Sequence, residues 1–529
     1  MRDILDVVMS MYRDYNGSGM QMALFFACLI YLLVQKKDKE KRYLFLGYSL
    51  LFFVICFCPL TAKVIMEFCI GETVYWRMFW LLPAAVITAY TAVQVIMQAE
   101  EKKKRYLLLM AMLLAVSMTG SVVYNGTIFA RKENPYKLPQ DVVDICDIIE
   151  ADAKANGITH KKLITGNNLN SFIRQYDAQI LMPYGEETIR GGRTENENAA
   201  EIFRIMSSEE KDWEALAWYA SAEECNYLAY PLEHEAAEEL ASCGYTVVGD
   251  NGAYGVYRRD LKEEDENSWL IKQYGGADGA PLTFYTMQDH LGHLIVIDGG
   301  RAEDVSYVRK QIRSLGGHVD AWIITHPHEE HAGAFMEIYK KPKKITIDSI
   351  YAGSMPAGEE AFSEDPKGEA NVYEQWNALA ILDLKELHAG DAFEIGGLAF
   401  QVFHAYDESV EELSDDPFND SSLVFKAVAD KESMLFCSDV GEAVSDSLLH
   451  TYGESLQADY IQMADHGNHG LKEDFYRQVN AKGAFFDAPN HMMQDMSGTY
   501  DNLQNAMMMI EYGAKIHSYA TTPNRIVLN

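Results

Sequence analysis

Positive charge is scarce in this sequence. Its 529 residues carry 45 Lys and Arg against 78 Asp and Glu, a formal charge of -33. A polyanion repels phosphate backbones at long range, which argues against a protein that holds nucleic acid by bulk charge. Paired cysteines are missing too. None of the eight cysteines stands in a CxxC pair, which excludes a zinc ribbon and a thioredoxin-type motif. Cys28, Cys56, Cys58 and Cys69 fall in or beside apolar runs, and Cys146, Cys225, Cys243 and Cys437 fall outside them. Cys225 and Cys243 read either as a disulfide in an oxidising space or as unpaired core thiols. Long uncharged runs are nearly absent after Tyr124, where most of the acid lies. So uneven a chain is neither disordered nor a soluble cytosolic enzyme, and its length supplies roughly three or four domains' worth of residues.

The first 124 residues hold four apolar stretches, at about 19–35, 43–66, 74–97 and 106–124. Each approaches or exceeds the roughly 20 residues that cross a hydrocarbon layer of about 30 Å as a helix. The first has no small-residue cleavage site before the next basic loop, so it is expected to stay as an uncleaved span. Pro59 and Pro83 lie inside spans, where neighbouring helices can satisfy the carbonyls that a proline frees. Loops 36–42 and 100–105 are strongly basic, whereas 69–77 carries only Arg77. Basic short loops stay in the cytoplasm, so everything from Asn125 onward is predicted to face outward. Lys63 and Arg77 stand near span ends, and no buried acid pair accompanies them. The region therefore reads as a multi-pass anchor in the lipid bilayer, not a pump.

Residues 125–265 alternate helical and strand patterns, which predicts a small extracytoplasmic α/β domain of unassigned role. After a linker at 125–139, Val142, Ile145, Ile148 and Ile149 share one helical face, with Gly157 as a stop signal. Further helices are expected around 198–206 and 209–222. The segment holds no nucleophile elbow, phosphate loop or metal spacing. Tyr176, Tyr184, Arg190, Arg193 and the Trp213/Trp218 pair are open to two readings, a sugar or peptide groove or a packed surface. The acidic run 261–267 reads as a solvated boundary.

From residue 266 the pattern becomes strands separated by short turns. PLTFYTM and HLIVIDGG read as a hairpin ending in Asp298-Gly299-Gly300, and the apolar strand VDAWIIT runs into His326-Pro327-His328-Glu329-Glu330-His331. Alternate side chains of an extended segment point the same way, so His326 and His328 can bind one ion together. As the chain turns into a helix, Glu330 and His331 can face a second. Imidazole and carboxylate at this spacing suit zinc, and also manganese or iron. Later strand ends deliver Asp439 in FCSDV, then Asp465 and His466 in ADHGNHG.

HxHxEH, a strand-end Asp and a strand-end His before Gly together resemble the metallo-β-lactamase fold. The similarity is greatest to the hydrolase domain of bacterial DNA-internalisation competence proteins, over about the last 260 residues. The resemblance implies an αββα fold of two packed sheets flanked by helices, with two divalent metal ions, zinc or manganese, at one edge. It implies His326 and His328 on the first metal, Glu330, His331 and His466 on the second, and Asp439 bridging them. Asp298 would orient the loop from behind. Asn419 in NDSSLV stands where the wider fold places a third histidine, with His404 as a substitute. His491 in APNHMM would contact the substrate or serve as an acid. Three departures stand out: Glu330 where the fold usually has Asp, Asp465 where the subgroup usually has His, and Ser438 before the bridging acid.

A water shared by two cations loses a proton near neutral pH, and the same cations stabilise charge on the attacked centre. The expected activity is therefore hydrolysis, with an envelope phosphoester or phosphodiester as substrate. About 18 basic against about 42 acidic residues follow Asp265, which argues against tight nucleic-acid binding. The alternative is a catalytically weak or inactive envelope scaffold on the same fold.

Overall fold

The computed structural model describes every residue except 1, 17–19, 36–38, 72–73, 120–131, 192–193, 195, 261–266, 277–279, 357–368 and 520–523. Arg193, most of the acidic run 261–267, part of the basic loop 36–42, the linker start at 125–131 and the ends of the first and fourth expected spans lie outside the described residues. The chain divides into two compact units, Met1–Lys132 and Glu133–Asn529.

The first unit is all helical. Its core holds Phe25, Phe52, Tyr75, Phe79 and Ile87. Among the described residues, Tyr75–Met97 alone is long and apolar enough to cross a bilayer, and two bent helix pairs reach that length only if each pair counts as one span. The expected span at 43–66 is one such pair, Lys39–Phe57 and Pro59–Phe68, bent by 73°. Sequence reading placed Pro59 within a continuous span. In the structure Pro59 opens a new helix, because it has no N–H to give and its ring collides with the preceding turn. The carbonyls freed there are answered by hydroxyls: Thr61 Oγ1 donates to Ile55 O (2.6 Å) and Cys58 O (3.0 Å), and Tyr75 OH donates to Cys56 O (2.8 Å). The helix Arg2–Asn16 had no counterpart in the sequence reading.

In the second unit, a four-stranded sheet runs Leu163–Thr165, Tyr227–Pro231, Tyr254–Arg258, Thr246–Asp250. The helix Gln140–Asn156 buries Val142, Ile145 and Ile149 and ends at Gly157, whose φ of 68° suits a left-handed cap. The expected helices appear as Glu197–Ser207 and Trp213–Ala222. Trp213, Trp218 and Tyr184 are packed in a core that also takes Leu270 and Val527. Tyr176 donates to Asp147 (2.9 Å), and Arg190 pairs with Glu186 on the surface. Both candidate disulfide cysteines, Cys225 and Cys243, are free. Arg525 clamps this region to the next layer, bonding Glu201 (2.6 Å) and Asp212 (2.7 Å).

Two seven-stranded sheets form the rest. The first runs Lys385–Leu387, Ile350–Gly353, Ala321–Ile324, Leu294–Asp298, Phe284–Gln288, Trp269–Gln273, Arg525–Leu528. The second runs Ala392–Ile395, Leu398–His404, Val424–Val428, Ser433–Phe436, Tyr460–Gln462, Gly483–Phe486, Lys515–Ser518. Their inner faces meet in one core, where Ile271, Tyr285, Ile297 and Ile323 face Phe400, Phe425, Phe436 and Phe485. Helices such as Glu329–Lys340 and Glu442–Tyr452 cover the outer faces. This is the two-sheet αββα arrangement that the resemblance implies. The strands before His326 and Asp298 run parallel, as do those before Asp439 and His466, so all four residues emerge at carboxyl ends of strands.

Candidate metal centre

Local backbone geometry aims these residues. Asp298, Ser438, Asp465 and His466 all have positive φ (53°, 49°, 47° and 56°), four of the eleven such non-glycine residues described. Strain of this kind persists where the surrounding structure over-determines it. Ser438 shows why a side chain is kept where glycine would be easier: its Oγ lies 2.8 Å from Thr325 Oγ1 and 3.3 Å from His326 Nδ1. Gly333 serves close approach, since a Cβ there would sit 2.5 Å from the Ala302 backbone nitrogen. The helix carrying His331 can thus lie directly on the turn after Asp298.

The side chains converge on Asp439. Its Oδ2 lies 3.1 Å from His331 Nε2, 3.3 Å from His466 Nε2 and 4.0 Å from His326 Nε2. Ligand atoms of His326, His331 and Asp439 all lie within 4.8 Å of one another. The His328 ring stacks edge-on against His326 at 4.4 Å between centroids. A further layer fixes the tautomers. Asp298 Oδ2 holds His331 Nδ1 at 2.7 Å and accepts from Thr325 Oγ1 at 2.7 Å, while Oδ1 accepts from the Thr325 amide at 2.8 Å. His331 therefore turns Nε2 toward the cluster, as a metal-binding imidazole requires. The His326 Nδ1 side rests on the Thr325 and Ser438 hydroxyls, which leaves its Nε2 buried with no hydrogen-bond partner, like Asp439 Oδ1 and His466 Nδ1. Buried polar atoms left dry in this way are costly. A cation would satisfy His326 Nε2 and Asp439 Oδ1, so the donor set fits a divalent metal.

Electrostatics follow the same geometry. Burial alone would raise the Asp439 carboxyl, but the His331 and His466 imidazoles hold it well below the usual range. Burial would lower His331, yet Asp439 and Asp298 lift it well above the ordinary value. His466 is likewise raised, to about 9, by Asp439 against its burial. Burial, then the neighbouring His331 and His328, push His326 well below.

The remaining expected residues are placed differently. Glu330 is half-buried at the first turn of its helix and outside the tight group. Burial would raise its carboxyl, but His331 and His466 draw it down. Asp465 is not in that group either: it accepts from the His469 amide (3.1 Å), and burial followed by Asp439 raises it to about 6. Asn419 donates to Asp416 (3.0 Å) while its Oδ1 is buried with no partner. His404 is committed to the Asp420 carbonyl (2.6 Å), so it does not stand in as a third histidine. His491 is exposed, meets Tyr500, and lines a cavity of ≈ 820 Å³ with Lys272 and Tyr274 instead of joining the cluster.

Sequence reading missed the network beneath the cluster. Asp487, wholly buried, accepts from Tyr285 OH (2.6 Å) and Gln273 Nε2 (2.6 Å) on one oxygen and from Gln462 Nε2 (3.2 Å) on the other. Gln462 Oε1 accepts the amides of Cys437 (2.9 Å) and Ser438 (2.7 Å), and so holds the turn that presents Asp439. Gln462 and Asp487 end or follow apolar strands. That strand-end signal, used for Asp439 and Asp465, would have found them.

The sequence of residues 282–410 matches the metallo-beta-lactamase superfamily, a stretch that holds Asp298 and His326–His331 and stops before Asp439. No curated protein matches the sequence. Among solved structures, the chain is similar to the metallo-beta-lactamase fold protein YhfI from Bacillus subtilis, at 11% identity over 49% of this chain and 99% of that one, TM-score 0.31. It is also similar to a diphosphatase from the PhnP family, at 14% identity over 50% of this chain and 97% of that one, TM-score 0.29. A third is CmlA, a diiron beta-hydroxylase from Streptomyces venezuelae, at 11% identity over 59% of each chain, TM-score 0.32. The superfamily match and the two packed sheets identify the carboxy-terminal region as a metallo-β-lactamase-fold domain.

Proposed function

We propose that the carboxy-terminal region is a metal-dependent hydrolase of a phosphoester or phosphodiester, held at the outer face of the membrane by the helical unit Met1–Lys132. The reading extends the resemblance to the competence-protein hydrolase domain. One observation carries it: three imidazole nitrogens surround Asp439 Oδ2 within 4.0 Å. In this proposal His326 and His328 hold one divalent cation, His331 and His466 a second with Glu330 at its edge, and Asp439 lies between them. Such a cation pair supplies water activation and neutralises charge that develops on the attacked phosphorus. The chain's own residues supply the orientation. Asp298 keeps the proton on His331 Nδ1, the Thr325 and Ser438 hydroxyls fix the His326 ring, and Gln462 holds the Ser438 amide so that Asp439 points inward.

The test uses the detergent-solubilised full-length chain. The reading expects near two equivalents of zinc or manganese and turnover of bis-p-nitrophenyl phosphate that is lost, about a thousandfold or more, in His331→Ala. Metal-free protein that never turns over would leave a scaffold instead. A phosphatase reporter fused after Asp260 should be active only if that point lies outside the cytoplasm.

A further inference from the structure

The cavity lined by His491 lies between the helix Glu197–Ser207 and the end of the strand Trp269–Gln273. Its ≈ 820 Å³ is enough for a small-molecule group. Lys272 lines it with a side chain only 15% exposed. Among the described residues its ammonium makes no hydrogen bond. Its ion-pair partner, Glu201 Oε1, stands 3.8 Å away, and the Tyr274 ring centroid 5.1 Å away. Glu201 is already held more closely by Arg525 (2.6 Å) and Arg204 (2.9 Å), so Lys272 is not needed to neutralise it. An ammonium has three donors, and the protein meets them only through the long contact to Glu201. Glu197, the other acid on the wall, is exposed and screened by solvent. The cavity therefore offers an anionic group a cation whose described partners are only a long contact to Glu201 and the Tyr274 ring.

Its position relative to the metal centre follows from strand register. Gln273 and Ile297 both pair with Tyr285, which puts them two strand spacings, about 10 Å, apart. Ile297 precedes Asp298, the residue that orients His331. Gln273 also lines the cavity while its side chain donates to Asp487 in the network under Ser438. Cavity and cluster thus share a wall.

We propose that this cavity, at the same sheet edge as the metal centre, is a subsite in which Lys272 holds a second anionic group of the substrate. The inference rests on the hydrolase reading and deepens it. It selects bis-anionic phosphoesters, such as consecutive units of a phosphodiester polymer or a doubly phosphorylated sugar, over an ester with one charge.

Two probes separate the outcomes: the p-nitrophenyl ester of thymidine monophosphate, and the same ester with a further phosphate on the sugar's other hydroxyl. In the metal-loaded full-length chain, wild type should prefer the ester with the further phosphate. Lys272→Met should raise its KM about tenfold or more, far beyond any fall in kcat, and collapse that preference, while Lys272→Arg should restore it. An unchanged preference, or an equal loss on both esters, overturns the inference. Calorimetric binding of thymidine bisphosphate to the metal-free chain covers the case in which neither ester is turned over. The hydrolase reading then fails, yet binding weakened about tenfold in Lys272→Met upholds the anion site, and equal binding removes it. Unchanged thermal unfolding of both variants shows that they fold.

Discussion

Among the described residues, two groups of histidine and aspartate bring their ligand atoms equally close together. In His326, His331 and Asp439, and again in His318, Asp320 and Asp348, the ligand atoms all lie within 4.8 Å. The first group is buried, whereas the His318 and Asp348 side chains are 51% and 57% exposed. The exposed group has also found partners of its own. His318 uses both ring nitrogens, on Thr346 Oγ1 (2.9 Å) and Asp348 (3.2 Å), and Asp320 accepts the Leu294 amide (2.8 Å). The buried group keeps two coordinating atoms, His326 Nε2 and Asp439 Oδ1, with no protein partner. Residue type and proximity are therefore not enough. What distinguishes the candidate metal centre is several coordinating atoms buried together without a hydrogen-bond partner from the protein.

The comparison can be broken by mutation, with the largest effect first. Asp439→Ala should destabilise the metal-free chain by about 3–5 kcal/mol, because it removes the carboxylate that His331 and His466 share and leaves the buried His466 without its ion-pair partner. Asp348→Ala should cost no more than about 0.5 kcal/mol. Denaturant unfolding followed by Trp322 fluorescence reads both, and equal costs would erase the distinction. Asp298→Asn should weaken metal binding about 10–100-fold, by loosening the His331 tautomer, in a chelator competition.

A third test concerns Asp487, which burial raises from 3.8 to about 6 against its hydrogen bonds from Tyr285 and Gln273. A carboxyl raised in the folded state contributes stability below its unfolded pKa and loses it as pH rises through the folded one. Between pH 4.5 and 7.5 the metal-free wild type should therefore lose about 2 kcal/mol relative to Asp487→Asn, whatever constant cost the amide adds. Parallel pH profiles would refute the shift. The smallest effect is expected at His318→Ala, which should leave metal content unchanged and shift stability by less than about 0.5 kcal/mol.

How much of this was legible depended on how local each signal was. The run His326–His331 and the strand-end Asp439 and His466 could be read directly, because strand periodicity and an abrupt polar end are properties of short segments. Asp298 could be read as a turn, with its role supplied by resemblance. Glu330, Asn419, His404 and His491 could not be placed by spacing, since a few degrees of backbone or one competing carbonyl decides where each points. His404 is the clearest case, captured by the Asp420 carbonyl. Asp487, Gln462, Tyr285 and Gln273 were invisible as a set because four separate strands contribute them. Lys272 gains its meaning only when a helix some seventy residues earlier closes over it. In the amino-terminal unit, hydropathy found the apolar stretches but not the 73° bend at Pro59, which depends on whether hydroxyls such as that of Thr61 stand ready to take the freed carbonyls.

The pairing of Arg525–Leu528 with Trp269–Gln273 has a consequence for how the protein is made. The first seven-stranded sheet begins with a strand whose neighbour is translated about 250 residues later. Until that late segment leaves the ribosome, the Trp269–Gln273 edge stays open to strand-adding partners. The wall that carries Lys272 is unfinished over the same interval. Nascent chains stalled before Arg525 should accordingly present an open strand edge, which favours aggregation over release of a folded chain.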